Sequence, residues 1–577
     1  MQASANTNRL RRRQLELLFR ENIPLLTLLG AIVGAVTALV VALFRYLIEL
    51  AVTLFLPISN HETFEQLPVD GRLLLVIIGL LILYLIQRPL NRNQRQTGVG
   101  HVLSMLQKND GHMPIGNWLN QFFSTCVALV SGLSVGREGP AVHLGAGIGS
   151  QLGERLDTPK SSIRILLAAG AASAIAATFN TPLAGVLFAM EVILFEYLIA
   201  GFIPIIAAAV TATAVTQWLY GDAPLVALPS ITNLDEPLAL SFILVGVVVG
   251  CASAAHIYFA GWLVRQTSSW RLWQKFAVIL LATIAAAIWL PELMGTGSDT
   301  LALAIDGQLL FGLLLAIAVG KLLLSSITVC LGVPGGLIGP TLLIGACLGA
   351  ACAVVASWLG VAHSAAAMAI VGMTAMMGAT LFAPLAALSA TIELTSSTTI
   401  IWPAMLAIVI ANLISRYVFQ QRSIFQQIAR AQGIEVATGK LQQAVNQISV
   451  LKLTSQSFKQ VARVSRISEI QKACDGYWII AFDELEQRLL DAKALCSTLE
   501  DELSSDNIQP DSFIDLFDYC RADASIGKIN GNANLAQALT ELRRHNHSGL
   551  MVNLPYGQPG LITRKRISDY LSNPEEV

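Results

Sequence analysis

The feature that most limits how this 577-residue chain can fold is a pair of glycine-broken apolar segments that occurs twice. "GREGPAVHLGAGIG" begins at Gly136 and "GLIGPTLLIGACLG" at Gly336, and the two align without a gap, 200 residues apart. Gly136, Gly139, Pro140, Gly145, Ala146 and Gly149 all meet identical partners. A second block follows in the same order: "GAASAIAATFNTPLAGVLFAMEV" from Gly170 resembles "GMTAMMGATLFAPLAALSATIEL" from Gly372, which pairs Pro182 with Pro384 and Glu191 with Glu393. Such ordered self-similarity implies two related halves, at about residues 100–220 and 300–420.

With 54% apolar and 13% charged residues, the chain reads as a polytopic membrane protein. The basic start, "NRLRRRQLELLFR", precedes an apolar run from about Ile23 to Phe55. That run is too long for a secretory leader and is expected to be an uncleaved first span behind a cytoplasmic segment, residues 1–22. A second apolar run ends in "RPLNRNQRQ", so two crossings return the chain to a basic side, consistent with both ends being cytoplasmic. The membrane part extends over residues 23–430. Many of its segments are short and interrupted by Gly-Pro steps. Irregular backbone survives at membrane depth only where protein or a water-filled cavity satisfies it, which points to a substrate site.

Helix amino termini carry N–H groups with no intrahelical partner and the positive end of the dipole, so several together can hold a dehydrated anion. The sequence predicts such starts at about Gly139 and Gly339, with further ones near Pro182 and Pro384. Proline suits the first turn of a helix, where a missing N–H costs nothing. Glu138 lies just before one predicted start. Its carboxylate could occupy the donors a permeating anion would use and leave them on protonation, acting as a gate and proton carrier; the plainer reading is a pair with Arg137 or a helix cap. His101 is a lone histidine at a helix start, read as a capping or packed side chain, with pH sensing as the alternative.

These residues resemble the CLC family of chloride channels and chloride/proton antiporters. Its GREGP signature stands here as Gly136, Arg137, Glu138, Gly139 and Pro140. Its GxFxP motif appears as "GLIGP", with Leu337, Ile338 and Gly339 between Gly336 and Pro340, and its GSGIP motif as "GVGHV", beginning Gly98, Val99, Gly100. The resemblance implies an all-α polytopic fold of two inverted-repeat halves with broken helices, a homodimer in the lipid bilayer with one anion pathway per subunit, chloride as the transported ion, and no cofactor.

Three departures from the family pattern bear on mechanism. The serine that usually contacts the central anion is replaced by Val99, and the tyrosine position corresponds to Phe425, so the anion is expected to rest on backbone N–H groups, notably those of Leu337 and Ile338. Val192 stands where family antiporters carry an internal proton-transfer glutamate and where the channel branch carries valine. The expectation is therefore a glutamate-gated chloride channel. The alternative is a chloride/proton antiporter that uses Glu138 with another inner path, through water or Glu196. Fluoride/proton antiport is opposed by Pro140, since that branch usually has threonine there. Glu191 matches a glutamate that is mainly structural in the family.

Beyond residue 430 charged residues recur every few positions, which marks a cytosolic α/β domain over residues 431–577. It resembles the CBS pairs of the family, with the clearer copy at 524–571 and a divergent first copy before it. Thr563 is followed at the third position by Arg566 rather than Asp, which argues against adenine-nucleotide binding. The absence of a long linker suggests a bacterial, inner-membrane protein. The formal net charge of −1 suggests no nucleic-acid partner. The eight cysteines form no CxxC pair and no metal cluster, and most read as small buried hydrophobes. A phosphate-loop enzyme is excluded by the lack of GxxxxGK[ST] and of a catalytic triad. A receptor without transport is opposed by the repeated broken helices.

Overall fold

The computed structural model describes residues 23–56, 64–197, 199–221, 239–360, 364–434, 448–474, 478–483, 486–504, 511–520, 524–531, 533–553 and 559–572. The expected segment 1–22 lies outside these. The chain divides into two compact units, Met1–Val436 and Ala437–Val577.

The first unit is helical: α1 Ile23–Phe55, α2 Val69–Gln87, α3 Gly98–Lys108, α4 Ile115–Val130, α5 Glu138–Arg155, α6 Lys160–Phe179, α7 Pro182–Phe188, α8 Ile199–Tyr220 and α9 Ala239–Gln266. It continues with α10 Leu272–Trp289, α11 Ser298–Ile305, α12 Phe311–Cys330, α13 Ile338–Trp358, α14 Ala365–Leu381, α15 Pro384–Thr395, α16 Ile401–Leu413 and α17 Ile424–Ala431. Among the described residues, nine helices are long and apolar enough to cross a membrane. The helices differ in how far they are covered: in α2 and α10 28% of the apolar span is buried, whereas α6 and α13 are buried over most of their length. α7 runs on as a π-helical turn, Ala189–Leu194, and α16 ends in another, Ile414–Val418.

The two halves are inverted about a local two-fold axis, and reciprocal contacts report it. Gly136 N–H donates to the Gly336 carbonyl at 2.7 Å, and Gly336 N–H donates to the Gly136 carbonyl at 2.8 Å. An antiparallel bridge between equivalent residues is what a two-fold passing between them produces. The same operation relates the packing of α5 on α6 to that of α13 on α14. In each pair two glycines face one another, Gly145 against Gly170 and Gly345 against Gly372, so close that a Cβ on one would overlap the backbone of the other. Lipid gives no hydrophobic drive for helices to associate, so such small-residue contacts and the dispersion they permit hold the bundle.

The second unit holds two copies of one β-α-β-β-α arrangement. In the first copy β1 (Phe458–Ala462) pairs in parallel with β3 (Trp478–Phe482), and β3 antiparallel with β4 (Gln487–Asp491); a short β2, Val464–Arg466, and α18, Ile467–Ala473, lie between β1 and β3. α19, Ala492–Ser504, follows β4, and β5, Phe513–Asp515, closes back on β2. The second copy repeats the pattern with β6 (Ile526–Asn530) parallel to β7 (Gly549–Asn553), β7 antiparallel to β8 (Gly560–Thr563), and α20 (Leu535–Arg544) and α21 (Arg564–Ser572). The turn expected at Tyr556–Gly560 falls mostly outside the described residues. Arg463 contacts Asp515 and Asp483, and its guanidinium holds the Asp515 carboxyl below the usual carboxylate range. Cys474, just after α18, and Cys496 on α19 form a disulfide, 22 residues apart in sequence and so invisible to a search for CxxC spacing.

Gly170→Ala should cost the first unit about 1–3 kcal/mol or more, because the added methyl meets the Gly145 carbonyl with no room to relax. The change should appear as a fall in Tm in detergent. Gly116→Ala, where nothing lies within 4 Å of the new carbon, should leave it unchanged or slightly raised.

Candidate functional site

Both motif glycines lie at the crossing point of the two halves, and each delivers a helix start to it. α5 begins at Glu138 and α13 at Ile338, with Arg137 and Leu337 at the N-cap positions. The helix therefore starts one residue earlier than Gly139, and Glu138 is its first residue rather than a residue before it. Pro140 and Pro340 occupy the third helical position, where the N–H has no intrahelical acceptor in any case. Glycine is needed at the contact itself: a Cβ on Gly139 would lie 2.8 Å from Gly336 Cα, and one on Gly336 would lie 2.8 Å from Gly139 N.

Glu138 is 4% exposed, and its Oε2 accepts a hydrogen bond from Gly339 N–H at 3.1 Å. The carboxylate of one half thus sits on the helix start of the other. Leu337 and Ile338 are buried beside it. The donor lies 201 residues away in sequence, on the helix start of the other half. Arg137 lines a cavity beside the start of α5 together with Arg45, Glu49, Thr178, Thr216 and Tyr220. Arg45 there is bound to Glu49 at 2.6 Å and stacks over the Tyr220 ring.

The third loop also converges. Gly98 has φ +72°, a conformation that favours glycine, and its N–H donates to Gln121 Oε1 at 2.6 Å. Thr125, one turn along α4, donates to the Pro334 carbonyl at 2.8 Å and so ties this loop's support to the α13 start. Val99 is buried, and Gly100 lies within α3. Phe425 is buried on α17, which packs against α3. Val192 is buried in the π turn after α7.

Glu191 and Glu393 form a second reciprocal pair. Glu393 accepts from the N–H groups of Leu183 and Ala184, both at 2.9 Å, at the start of α7; Glu191 accepts from Leu385 at 3.2 Å and Ala386 at 2.9 Å, at the start of α15. The helix starts near Pro182 and Pro384 are thus occupied by carboxylates from the opposite half, a structural use that agrees with the role expected for Glu191.

Two buried groups escaped the sequence reading. Lys321 is fully buried on α12 and donates to the carbonyls of Leu293 at 3.0 Å and Gly295 at 2.8 Å. His101 is not a lone histidine: its Nδ1 lies 2.7 Å from Nε2 of His143 on α5. The available signal was a histidine five positions after an intramembrane glutamate.

Replacing Glu393 by alanine should uncap α7 and cost about 0.5–2 kcal/mol, read as a lower Tm. Glu191→Ala should give a loss of similar size, because the two-fold makes the sites equivalent.

Residues 74–416 match the family described as Voltage gated chloride channel. The chain is similar to the H(+)/Cl(-) exchange transporter ClcA of Salmonella arizonae, 26% identical over 438 residues, which is 71% of this chain and 90% of the relative. The corresponding transporter of Citrobacter koseri is 26% identical over 434 residues, with the same two shares. Among solved structures, a slow cyanobacterial Cl-/H+ antiporter superposes with a TM-score of 0.63 at 21% identity, over 70% of this chain and 97% of that one. A CLC-type fluoride/proton antiporter gives 0.57 at 23% over the same shares. A eukaryotic CLC transporter gives 0.62 at 16% and covers 94% of this chain and 97% of that one, so the shared fold includes the second unit. A match over more than half of the chain, together with the inverted halves, settles the membership: the chain belongs to the CLC family of anion-transporting membrane proteins.

Proposed function

We propose that the chain carries chloride across the bilayer in exchange for protons, with Glu138 as the acid that alternates with the anion. The observation that carries this is the buried Glu138 carboxylate on the Gly339 N–H, where two helix starts meet. A carboxylate there uses the donors an anion needs, so it must leave, protonated or displaced, for an anion to bind. Leu337, Ile338 and Gly339 supply backbone donors from α13, and Val99 and Gly100 supply them from the first turn of α3, Gly98 N–H being held by Gln121. The names of the relatives, exchange transporters and antiporters, support coupling to protons.

A passive chloride channel gated by Glu138, the reading favoured by sequence, rests on Val192, which cannot relay a proton. It remains the second reading. The protein is further proposed to act as a homodimer in the inner membrane with both ends cytoplasmic. The two β-α-β-β-α copies of the second unit fit a CBS pair, proposed to serve gating and dimer contact without a nucleotide.

Purified protein in liposomes with a chloride gradient should release chloride and move protons the opposite way, against their own gradient. Glu138→Gln should abolish the proton movement. Chloride release with no proton movement in the wild type would overturn exchange and favour the channel. Val99→Ser and Phe425→Tyr each restore a hydroxyl at a central-site position. A neutral hydrogen bond contributes about 0.5–1.5 kcal/mol, so each should tighten anion binding by roughly twofold to tenfold in calorimetric titration.

A further inference from the structure

His101 stands three residues beyond Gly98 on α3, and His143 five residues beyond Glu138 on α5. The fold joins them. Besides the 2.7 Å nitrogen-to-nitrogen distance, the ring centroids are 5.0 Å apart with the planes tilted by 40°, and the side chains are 5% and 0% exposed. Two imidazole nitrogens approach so closely only with a proton between them, one donating and the other accepting. The tautomers are therefore coupled: whichever ring gives the bridging proton, the other ring's protonation follows. The outer nitrogen of His143, Nδ1, is buried and has no protein partner. Buried polar atoms are nearly always paired, and an orphan on a shared-proton pair is a position for a proton or a water that brings one.

The placement fits a route. Five residues of helix rise about 7.5 Å, so His143 lies about one and a half turns along α5 from Glu138. α3, which carries His101, packs against the π turn that carries Val192. The carboxylates on α3, α5 and the elements packed against them are few. Glu49 pairs with Arg45, Glu154 with His112 and Asp110 with Lys160, Glu191 accepts from the start of α15, and Glu196 stands just beyond the π turn, so Glu138 is the acid at the loop crossing. The other cations on these elements, Lys108, Arg155, Lys160, Arg164 and Arg430, stand near the ends of their helices.

We propose that the His101–His143 pair carries the proton between Glu138 and the region around Val192, replacing the acid that valine removes; this rests on the exchange reading above. A proton is taken up at the outer nitrogen of one ring, the bridging proton crosses the 2.7 Å bond, and a proton leaves from the outer nitrogen of the other ring. No other bond is made or broken, and no net charge stays behind. Each passage leaves both rings in the opposite tautomer, and the first is restored only by proton exchange at the ring nitrogens, one proton taken up for each one released.

The test is the number of protons moved per chloride in liposomes for wild type, His143→Gln and His101→Gln, with Glu138→Gln alongside. Glutamine can hydrogen-bond to the remaining histidine but cannot pass a proton on. In both histidine variants the ratio should fall at least tenfold while chloride still leaves. A ratio kept at the wild-type value in either variant, even with both fluxes reduced together, would overturn the proposal and leave the pair as packing. If H143Q does not fold, H101Q carries the same reading. Failure of the exchange reading is distinct, since there the wild type itself moves no protons.

Discussion

The Gly136–Gly336 bridge is the contact on which the membrane unit depends. Two hydrogen bonds, 2.7 and 2.8 Å, hold equivalent residues of the two halves together, and every other feature of the centre follows from that approach. A side chain on either glycine would push the backbones apart, and the starts of α5 and α13 would then no longer meet. Because they meet, Glu138 reaches across the axis to Gly339. The centre offers dipoles and backbone donors, with Arg137 at the N-cap of α5. An anion held by dipoles escapes more easily than one paired with a lysine, which suits passage rather than storage.

Where the unit does bury a lysine, it is answered by carbonyls. Lys321 donates to Leu293 and Gly295, and Gly295 N–H in turn donates to the Gly132 carbonyl at the end of α4. The buried charge thus fastens the segment after α10 to α12 and to the loop that leads into the GREGP motif. Both the carboxylate sites and this amine site follow the same rule: a buried polar group is accommodated where backbone groups of the right polarity converge on it.

Much of this was legible in the sequence, for identifiable reasons. α1 spans Ile23–Phe55 as the apolar run predicts, and the prolines at 182 and 384 open helices as their missing N–H requires. The repeat announced two halves because equivalent contacts demand equivalent residues. Inversion was not readable from alignment, since sequence similarity carries no direction; it came from family resemblance, and in the structure from the self-pairing of Gly136 with Gly336. His143 and Cys496 were missed because their partners, His101 and Cys474, lie 42 and 22 residues away with no motif spacing between them. The helix start at Glu138 was misplaced by one residue because proline is tolerated throughout the first turn.

The reciprocal caps impose an order on how the protein is made. Glu191 waits for Leu385 and Ala386, and Gly136 for Gly336, so the first half emerges with its central donors and acceptors unmet. At about 5–20 residues per second, the 200 residues between the partners take roughly 10–40 s to synthesise. During that interval the unfinished face of the first half lies in the bilayer beside other nascent chains. The two-fold that makes the mature centre tight also makes the half-finished chain a candidate for pairing with a second copy of itself.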